Sequence, residues 1–240
     1  MIKKLTKLVL PSKIAEPLRA ELRKETHINR ALRASSGKTY VEIGVAAGKC
    51  FRLINAPCKI AVDPAPKGDW DSLAAGESLY RMTSDEFFTG HAEEVLGHEK
   101  VDVAFIDGLH EFPQALRDAV NLEKFMSKQG IIFMHDCNPP TREHTEMRRG
   151  ESTGDVWKCA YYFSNYRPDL HFFTLDCDWG LGVLTGFDSS SGDQSPDSKI
   201  IDMCNSLDYS LLEKERKSIL RLRPFWYSLL YFTLVFPKSL

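Results

Sequence analysis

The sequence lacks the cysteine spacing on which a zinc site or a disulfide framework depends. Its six cysteines contain no CxxC pair and follow no regular interval, which argues against both kinds of site. We therefore expect reduced cysteines, of the kind found as small buried or surface residues in a reducing compartment. They are Cys50, Cys58, Cys137, Cys159, Cys177 and Cys204.

An excess of positive charge is also missing. The 240 residues include 31 basic and 33 acidic side chains, for a formal net charge of -2. Because phosphate-backbone binding favours a basic surplus, this balance disfavours a nucleic-acid partner. The hydrophobic share of 43% and charged share of 27% are typical of a folded chain with one substantial core.

Two kinds of apolar segment are absent as well. In the first thirteen residues Lys7 interrupts what would be the apolar part of a signal peptide, and no small-residue cleavage site follows. We expect a cytoplasmic protein. The most apolar stretch, residues 225–236, is shorter than the roughly 20 residues that a membrane-spanning helix needs.

Short apolar runs alternate with longer segments along the chain. The runs TYVEIG, KIAVD, SLYRMT, VDVAFID and GIIFMHD are mostly separated by enough residues for a crossover helix, which predicts βαβ units and a parallel sheet. LHFFTLD and GLGVLTG are separated by only three residues and should form an antiparallel hairpin. The predicted fold class is α/β, a doubly wound Rossmann-like sheet of seven strands, mostly parallel with a C-terminal antiparallel hairpin.

Helical spacing marks three further segments. An amphipathic helix is predicted from Ile14 to Ala34, ended by SSGK; another begins at Phe112 and stops at Gln129-Gly130; a third covers 200–222. Residues 188–199 are polar and are typical of a linker. We divide the chain into a helical segment at 1–35, a cofactor-binding domain at 36–187, and a linker with a helical, aromatic tail at 188–240.

The loop VEIGVAAGKC is predicted to bind a cofactor beyond the end of the first strand. Gly44 and Gly48 would let the backbone approach a ligand closely. Its spacing is ExGxxxG rather than the nicotinamide fingerprint GxGxxG, with Glu42 where the first glycine would stand. A carboxylate there suits a ligand with positive charge or an ammonium group.

Asp63 ends the second strand, nineteen positions after Gly44, the distance at which an acidic residue typically receives ribose hydroxyls. Together, Glu42 and Asp63 indicate an adenosine-bearing, cationic, amino-acid-like ligand, and S-adenosylmethionine fits that description. Ser84 and Asp85, past the third strand, are placed to contact the adenine; alternatively, they form the N-cap of the helix that follows.

Two aspartates end neighbouring strands, each with a histidine nearby. Asp107 ends the fourth strand and Asp136 the fifth, so their carboxylates should form an oxygen-rich site for Mg²⁺ or Mn²⁺ beside the cofactor. His110 is the candidate general base because its turn leads into the cleft, and His135 is the candidate orienting or capping residue. Either histidine could instead be purely structural.

The segments VEIGVAAGK, AVDPAP, DVAFIDGLHEFPQALRDAVN and GIIFMHDCN, in this order, resemble the class I S-adenosylmethionine-dependent methyltransferases. The resemblance runs from about Tyr40 to Leu184 and is closest to the subgroup with DGxH and HD motifs, found among sugar and antibiotic O-methyltransferases. It implies transfer of the sulfonium methyl to an acceptor hydroxyl by in-line displacement. The implied roles are cofactor binding for Glu42, Gly44, Gly48, Asp63 and Asp107, metal binding for Asp107 and Asp136, and general base for His110.

One departure from related families leaves the metal site open. In the catechol type of metal-dependent methyltransferase an Asp-Asn pair ends the fifth strand, whereas here Cys137 follows Asp136 and Asn138 comes one place later. The third metal ligand and the need for metal are therefore unassigned at this stage.

Two appended segments bear on partners. In the loop 139–150, the cations Arg142, His144, Arg148 and Arg149 could meet an acidic or phosphate-bearing acceptor, or could simply be solvated. The tail at 225–236 could contact a membrane surface, a neighbouring subunit of a homo-oligomer or the chain's own core.

The leading prediction is an O-methyltransferase acting on a small-molecule or carbohydrate hydroxyl. The alternatives are a nicotinamide-dependent oxidoreductase, which the missing third glycine opposes, and a non-catalytic cofactor-binding or membrane-associated accessory protein. Retention of Asp107, His110 and Asp136 argues against the last, because binding alone requires none of them.

Overall fold

The computed structural model describes residues 22–146, 152–187 and 195–236. The strands are β1 (Thr39–Ile43), β2 (Cys58–Val62), β3 (Glu77–Tyr80), β4 (Val101–Ile106), β5 (Met126–Met134), β6 (His171–Asp176), β7 (Leu181–Thr185) and β8 (Arg223–Pro224). The helices are α1 (Lys24–Ser35), α2 (Ser84–Gly90), α3 (Ala92–Leu96), α4 (Phe112–Glu123), α5 (Arg142–Glu146), α6 (Trp157–Tyr166), α7 (Ser198–Asn205), α8 (Tyr209–Ile219) and α9 (Tyr227–Val235), with a 3₁₀ turn at Phe51–Leu53.

The strands form one sheet in the order β3-β2-β1-β4-β5-β7-β6-β8. The first five pair in parallel, β7 is antiparallel to both β5 and β6, and β8 is parallel to β6. The predicted Rossmann-like class with a terminal antiparallel hairpin is therefore confirmed. The sheet has eight strands rather than seven, because the two residues of β8 pair with Leu175 and Asp176, too short a segment to carry a strand pattern.

The register of the parallel strands positions the site. Ile43, the last residue of β1, pairs with Val62 of β2 and with Ile106 of β4, and Ile106 pairs with Met134 of β5. The four strands therefore end level with one another. The polar residues that follow them project from one edge of the sheet.

The central helix α4 ends earlier than predicted. It stops at Glu123, and β5 begins at Met126, so Gln129 and Gly130 lie inside a strand rather than ending a helix. The reason is that the carbonyl of Phe125 accepts a hydrogen bond from the Val101 amide at 2.8 Å, which starts the pairing of β5 with β4.

The predicted helix at 200–222 is two helices, and the predicted N-terminal helix is described only in part. Asp197 caps α7 by accepting from the Lys199 amide at 2.9 Å, and Asp208 caps α8 by accepting from the Ser210 amide at 2.9 Å. The sequence contains a sign of this break, because an aspartate precedes each of the two helices. Residues 14–21 of the first prediction lie outside the described residues, and α1 ends where predicted, with Ser36 in the left-handed region at φ 54°.

Both faces of the sheet are covered by apolar residues. One face packs against α2, α3, α4, α6, α7 and α8, and the other against α1, the 3₁₀ turn and α9. α9 buries Ser228 and Phe232 but leaves Trp226, Leu229, Leu230 and Leu234 exposed. Among the described residues no helix is long and apolar enough to cross a membrane. Membrane contact through 225–236, a homo-oligomer and the three-part division of the chain stay predictions.

Arg167 links three parts of this architecture. Its buried guanidinium donates to both carboxylate oxygens of Glu123, at 2.8 and 3.0 Å, and to Asp169 at 2.6 Å. The pairing joins the end of α4 to the end of α6 and to the turn before β6.

We predict that Arg167→Met destabilises the protein by about 3–5 kcal/mol, because it leaves the mostly buried carboxylate of Glu123 without its partner. Urea unfolding measures the change. The double variant Arg167→Met/Glu123→Leu should recover a large part of the loss, since only Asp169, the more exposed of the two carboxylates, is then left without its partner. A loss below about 1 kcal/mol in the single variant would contradict a structural role for this ion pair.

Candidate cofactor and acceptor site

The loop after β1 depends on two glycines with positive φ. At Gly44 (φ 84°) a Cβ would lie 2.3 Å from the carbonyl oxygen of Asp107, and at Gly48 (φ 70°) it would lie 2.7 Å from the Trp70 ring. No side chain fits either place. The loop therefore packs closely on the turn after β4, as its small residues predicted.

Asp63 holds this loop in shape. Its Oδ2 accepts hydrogen bonds from the amides of Val45 at 3.0 Å and Ala46 at 2.8 Å, and its Oδ1 accepts from Ala65 at 2.8 Å. These hydrogen bonds fix the backbone of the loop. The carboxylate also lines the cavity, and ribose binding by Asp63 stays a prediction.

Glu42 is buried beneath the same loop. Its Oε2 accepts a hydrogen bond from the Tyr40 hydroxyl at 2.6 Å. Burial raises the pKa of Glu42 to about 8, although the Tyr40 hydrogen bond partly opposes that shift. In the free protein at neutral pH this side chain is therefore mostly protonated, and a cationic ligand would favour its ionised form.

A cavity of about 1110 Å³ runs along the level strand ends. Glu42, Gly44, Asp63, Asp107 and His110 line it, so the structure brings together residues predicted separately from β1, β2 and β4. Gly48 stands behind the loop against Trp70, where it shapes the backbone.

Ser84 and Asp85 lie on the other side of the cavity. The N-cap of α2 is Thr83, which forms a reciprocal capping box with Glu86, so neither Ser84 nor Asp85 is the cap. Both contact the amide of Gln114, at 3.1 and 3.3 Å. Adenine binding by Ser84 and Asp85 stays a prediction.

Asp118 is a residue of the cavity that the sequence analysis did not predict. It is a buried acid on α4 that lines the cavity and accepts a hydrogen bond from Gln114 at 3.0 Å. Burial raises its pKa to about 6. An acidic residue on the core face of the apolar helix α4 was the available signal.

The two predicted aspartates and the predicted base meet at the edge of this cavity. Ligand atoms of Asp107, His110 and Asp136 all lie within 4.8 Å of one another. His110 Nε2 is 3.6 Å from Asp107 Oδ1 and 3.3 Å from Asp136 Oδ2. Asp136 adopts a left-handed φ of 62°, which lets the chain turn sharply after β5.

Ser152 and Gly154, which follow the 139–150 loop, hold His110 in position. Its Nδ1 lies 2.7 Å from the carbonyl oxygen of Ser152, so Nδ1 donates its proton to that oxygen and, when the ring is neutral, Nε2 carries the lone pair. Gly154 packs so tightly on the His110 backbone that a Cβ would overlap its carbonyl oxygen. His110 can therefore act through Nε2, either as a metal ligand or as a base.

His135 supports the cluster from the end of β5. Its Nδ1 is 3.1 Å from Asp107 Oδ1 and 3.3 Å from Asp136 Oδ2. Its Nε2 is 3.7 Å from Asp178 Oδ1. Three surrounding carboxylates and almost complete burial are consistent with the orienting role predicted for it.

The charges of the cluster are strongly coupled. Burial opposes ionisation of Asp107, but the charge on His135 and hydrogen bonds from both histidines hold its pKa well below the usual range. The hydrogen bond to Asp107 is the main cause that raises the pKa of His110. Burial lowers the pKa of His135, yet the Asp107 charge outweighs it and raises that pKa well above its usual value.

Lys24 and Asp178 also lie beside this cluster, and no local sequence pattern marks either of them. Lys24 Nζ lies 3.7 Å from Asp107 Oδ2 and 3.6 Å from Asp178 Oδ2. Lys24 comes from α1 and Asp178 from the β6-β7 turn, so their meeting depends on how separate elements dock.

A second cavity, of about 950 Å³, adjoins the first at Gly108, Leu109 and His110. Its other walls come from α5, residues 152–158 and the α7-α8 junction. Arg142 is bound bidentately by Asp208 at 2.7 and 2.8 Å, so the free cation predicted there is already paired. His144 contacts the Trp179 ring, and Arg148 and Arg149 lie outside the described residues.

A family model described as a methyltransferase domain matches residues 41–137. No curated protein matches the chain. The chain is similar, at 12% identity, to the structure of cofactor-bound Rv0187 from MTB, with a TM-score of 0.49 over 76% of this chain and 94% of that one.

Two further structures are similar at the same identity of 12%. A proposed O-methyltransferase from Klebsiella pneumoniae gives a TM-score of 0.48 over 76% of this chain and 94% of its own. A proposed caffeoyl-CoA O-methyltransferase from Staphylococcus aureus gives 0.44 over 76% and 88%.

A doubly wound sheet with a glycine-bearing loop and a buried acid at the end of β1 is an arrangement in which α/β proteins bind nucleoside cofactors beyond their strand ends. Residues 41–137, which contain β2, β4, β5 and most of β1, match the methyltransferase-domain model, as the motifs in those strands predicted. The oxidoreductase and accessory-protein alternatives find no comparable support.

We predict that S-adenosylhomocysteine binds more tightly as the pH rises from 6 to 7.5. Glu42 is protonated in the free protein below its pKa of about 8, and the ligand's ammonium favours the carboxylate, so binding releases a proton. The affinity should then rise by at most about tenfold per pH unit. Calorimetry in two buffers of different ionisation enthalpy counts the released proton.

Glu42→Gln is the matched control, because it keeps the shape of the side chain and cannot titrate. Its affinity should vary less with pH, and its proton release should fall. Equal pH profiles in both proteins would rule out Glu42 as the titrating group.

Proposed function

We propose that this enzyme methylates a hydroxyl of a sugar or another small polar molecule, with a divalent cation at Asp107 and Asp136. One observation carries the proposal: His110 lines both the cofactor cavity and the second cavity, with the carboxylates of Asp107 and Asp136 beside its ring. A hydroxyl bound in the second cavity can therefore approach a methyl group delivered from the first.

The donor set fits a hard cation. Two carboxylates and an imidazole whose ligand atoms lie within 4.8 Å of one another form an oxygen-rich group, which favours Mg²⁺ or Mn²⁺. When bound, such an ion would lower the pKa of the acceptor hydroxyl. Asp107 and Asp136 would hold it, and His110 completes the set unless it serves as base.

We assign His110 as the general base. Its Nδ1 is held by the Ser152 carbonyl, which leaves Nε2 as the nitrogen that can take up the proton, and its side chain lines both cavities. His135 is poorly suited, because its side chain is almost fully buried and lines neither cavity.

The second cavity supports a polar acceptor without a strong net charge. Arg142 is paired with Asp208, and Lys158 is paired with Asp155 at 2.9 Å and donates to the Asn205 carbonyl at 2.6 Å. With its cations paired, the wall offers hydrogen-bonding groups rather than a free positive charge for a phosphate. A hydroxyl-rich molecule such as a sugar suits this wall.

The first test is cofactor binding. We expect S-adenosylmethionine, but not NADH, to raise the melting temperature of the protein, since only a ligand of the folded state stabilises it. Asp63→Ala should weaken binding at least about tenfold, because three loop amides lose their acceptor. Asp71→Ala is the control, since that side chain is 96% exposed.

The second test separates the roles of Asp136 and His110. Asp136→Asn should weaken Mg²⁺ binding, whereas His110→Ala should bind Mg²⁺ about as well as the parent protein while losing roughly 10²–10⁴-fold in methyl transfer to a responsive acceptor from a panel of sugars. Calorimetry measures the ion and radiolabelled methyl transfer measures turnover. Loss of Mg²⁺ binding in His110→Ala would instead make His110 the third ligand.

A further inference from the structure

Lys24 is the least exposed cation of the cofactor cavity. Three lysines line that cavity: Lys24, Lys49 and Lys67. Lys49 and Lys67 are exposed at the rim, whereas the Lys24 side chain is only 17% exposed. A buried ammonium costs free energy unless it is well paired, so its surroundings indicate what it does.

The ammonium of Lys24 is held by charge but is not saturated with hydrogen bonds. Its charge partners among the described residues are Asp178 Oδ2 at 3.6 Å and Asp107 Oδ2 at 3.7 Å, and His135 Nε2 lies at 3.5 Å and the Phe105 ring centroid at 5.9 Å. Each is longer than the 2.7–3.2 Å of a normal N–H···O hydrogen bond. The three N–H donors of the ammonium therefore have capacity for a closer acceptor.

The position of Lys24 is fixed by the backbone. It is the first residue of α1, a helix of twelve residues, and its amide donates to Asp178 Oδ2 at 3.3 Å. The positive end of the helix dipole therefore faces the same side as the ammonium. An anionic group bound here would meet both.

The charges at this end of the cavity are complementary to an amino acid. Lys24 lines it together with Glu25 and Glu42, two acids suited to an ammonium group. Asp63, Ser84 and Asp85 line the same cavity further along the level strand ends. A nucleoside linked to an amino acid thus finds a cation for its carboxylate and acids for its ammonium at one end.

We propose that Lys24 binds the α-carboxylate of S-adenosylmethionine and so selects the intact amino-acid part of the cofactor. The inference rests on the cofactor dependence of the proposed function. It assigns to α1, which lies outside the family-matched residues 41–137, a direct contact with the cofactor.

The test compares two ligands that differ only in the carboxylate: S-adenosylmethionine and its decarboxylated form, which keeps the sulfonium and the ammonium. Calorimetry measures both affinities in the parent protein and in Lys24→Met. We expect Lys24→Met to weaken S-adenosylmethionine binding about 10- to 100-fold, the range for a hydrogen bond to a charged group, and to change binding of the decarboxylated ligand by less than about threefold.

Two further variants serve as controls for that comparison. Lys24→Arg keeps the charge and should retain most of the preference for the carboxylate-bearing ligand. Lys38→Met removes an exposed lysine just past α1 and should match the parent protein. Thermal unfolding without ligand shows that each variant is folded, and Lys24→Gln replaces Lys24→Met if the latter is not.

The outcomes are distinct. Equal weakening of both ligands in Lys24→Met would make Lys24 a structural residue, and unchanged affinity for both would remove it from the site; either result overturns the proposal and leaves the cofactor assignment intact. Absence of binding by the parent protein would instead overturn the proposed function itself.

Discussion

The site depends on keeping the mostly buried carboxylate of Asp107 ionised at the end of β4. Desolvation alone would favour the neutral acid, so cations must stand close to it. His135 follows β5, His110 lies in the turn after β4, and Lys24 begins α1. The level ends of the parallel strands supply the first two, and only the docking of α1 supplies the third. The fold thus brings together the cations that keep Asp107 ionised beside the cofactor cavity.

The C-terminal helix α9 contributes to the site indirectly, because it packs on α1, the helix that carries Lys24. α1 packs on α9, where Ser228 Oγ contacts His27 Nδ1 at 2.9 Å and accepts from Arg30 at 2.7 Å. Phe232 of α9 packs edge-on against Phe133 of β5 at 6.2 Å between ring centroids. The apolar tail therefore braces the helix that positions Lys24, whatever its exposed face contacts.

The sequence predicted the parts of the site that follow from local pattern. Alternating apolar runs located β1 to β7, and the rule that ligands bind beyond parallel strand ends located Glu42, Asp63, Asp107 and Asp136. Lys24 and Asp178 could not be found in this way, because their meeting depends on the docking of α1 and of the β6-β7 turn. The end of α4 was misplaced because its pattern continues into Phe125 and Met126, which are buried as part of the sheet. The α7-α8 break carried an aspartate cap that the apolar spacing obscured.

The two histidines of the cluster differ in their protonation because their surroundings differ. His135 is enclosed by Asp107, Asp136 and Asp178, which stabilise its cationic form and leave it no neutral nitrogen for proton transfer. His110 is more open, and its raised pKa comes mainly from a single hydrogen bond to Asp107. Positive charge that arrives next to Asp107 offsets this effect and lowers the pKa of His110, because it competes with the imidazolium for the same carboxylate.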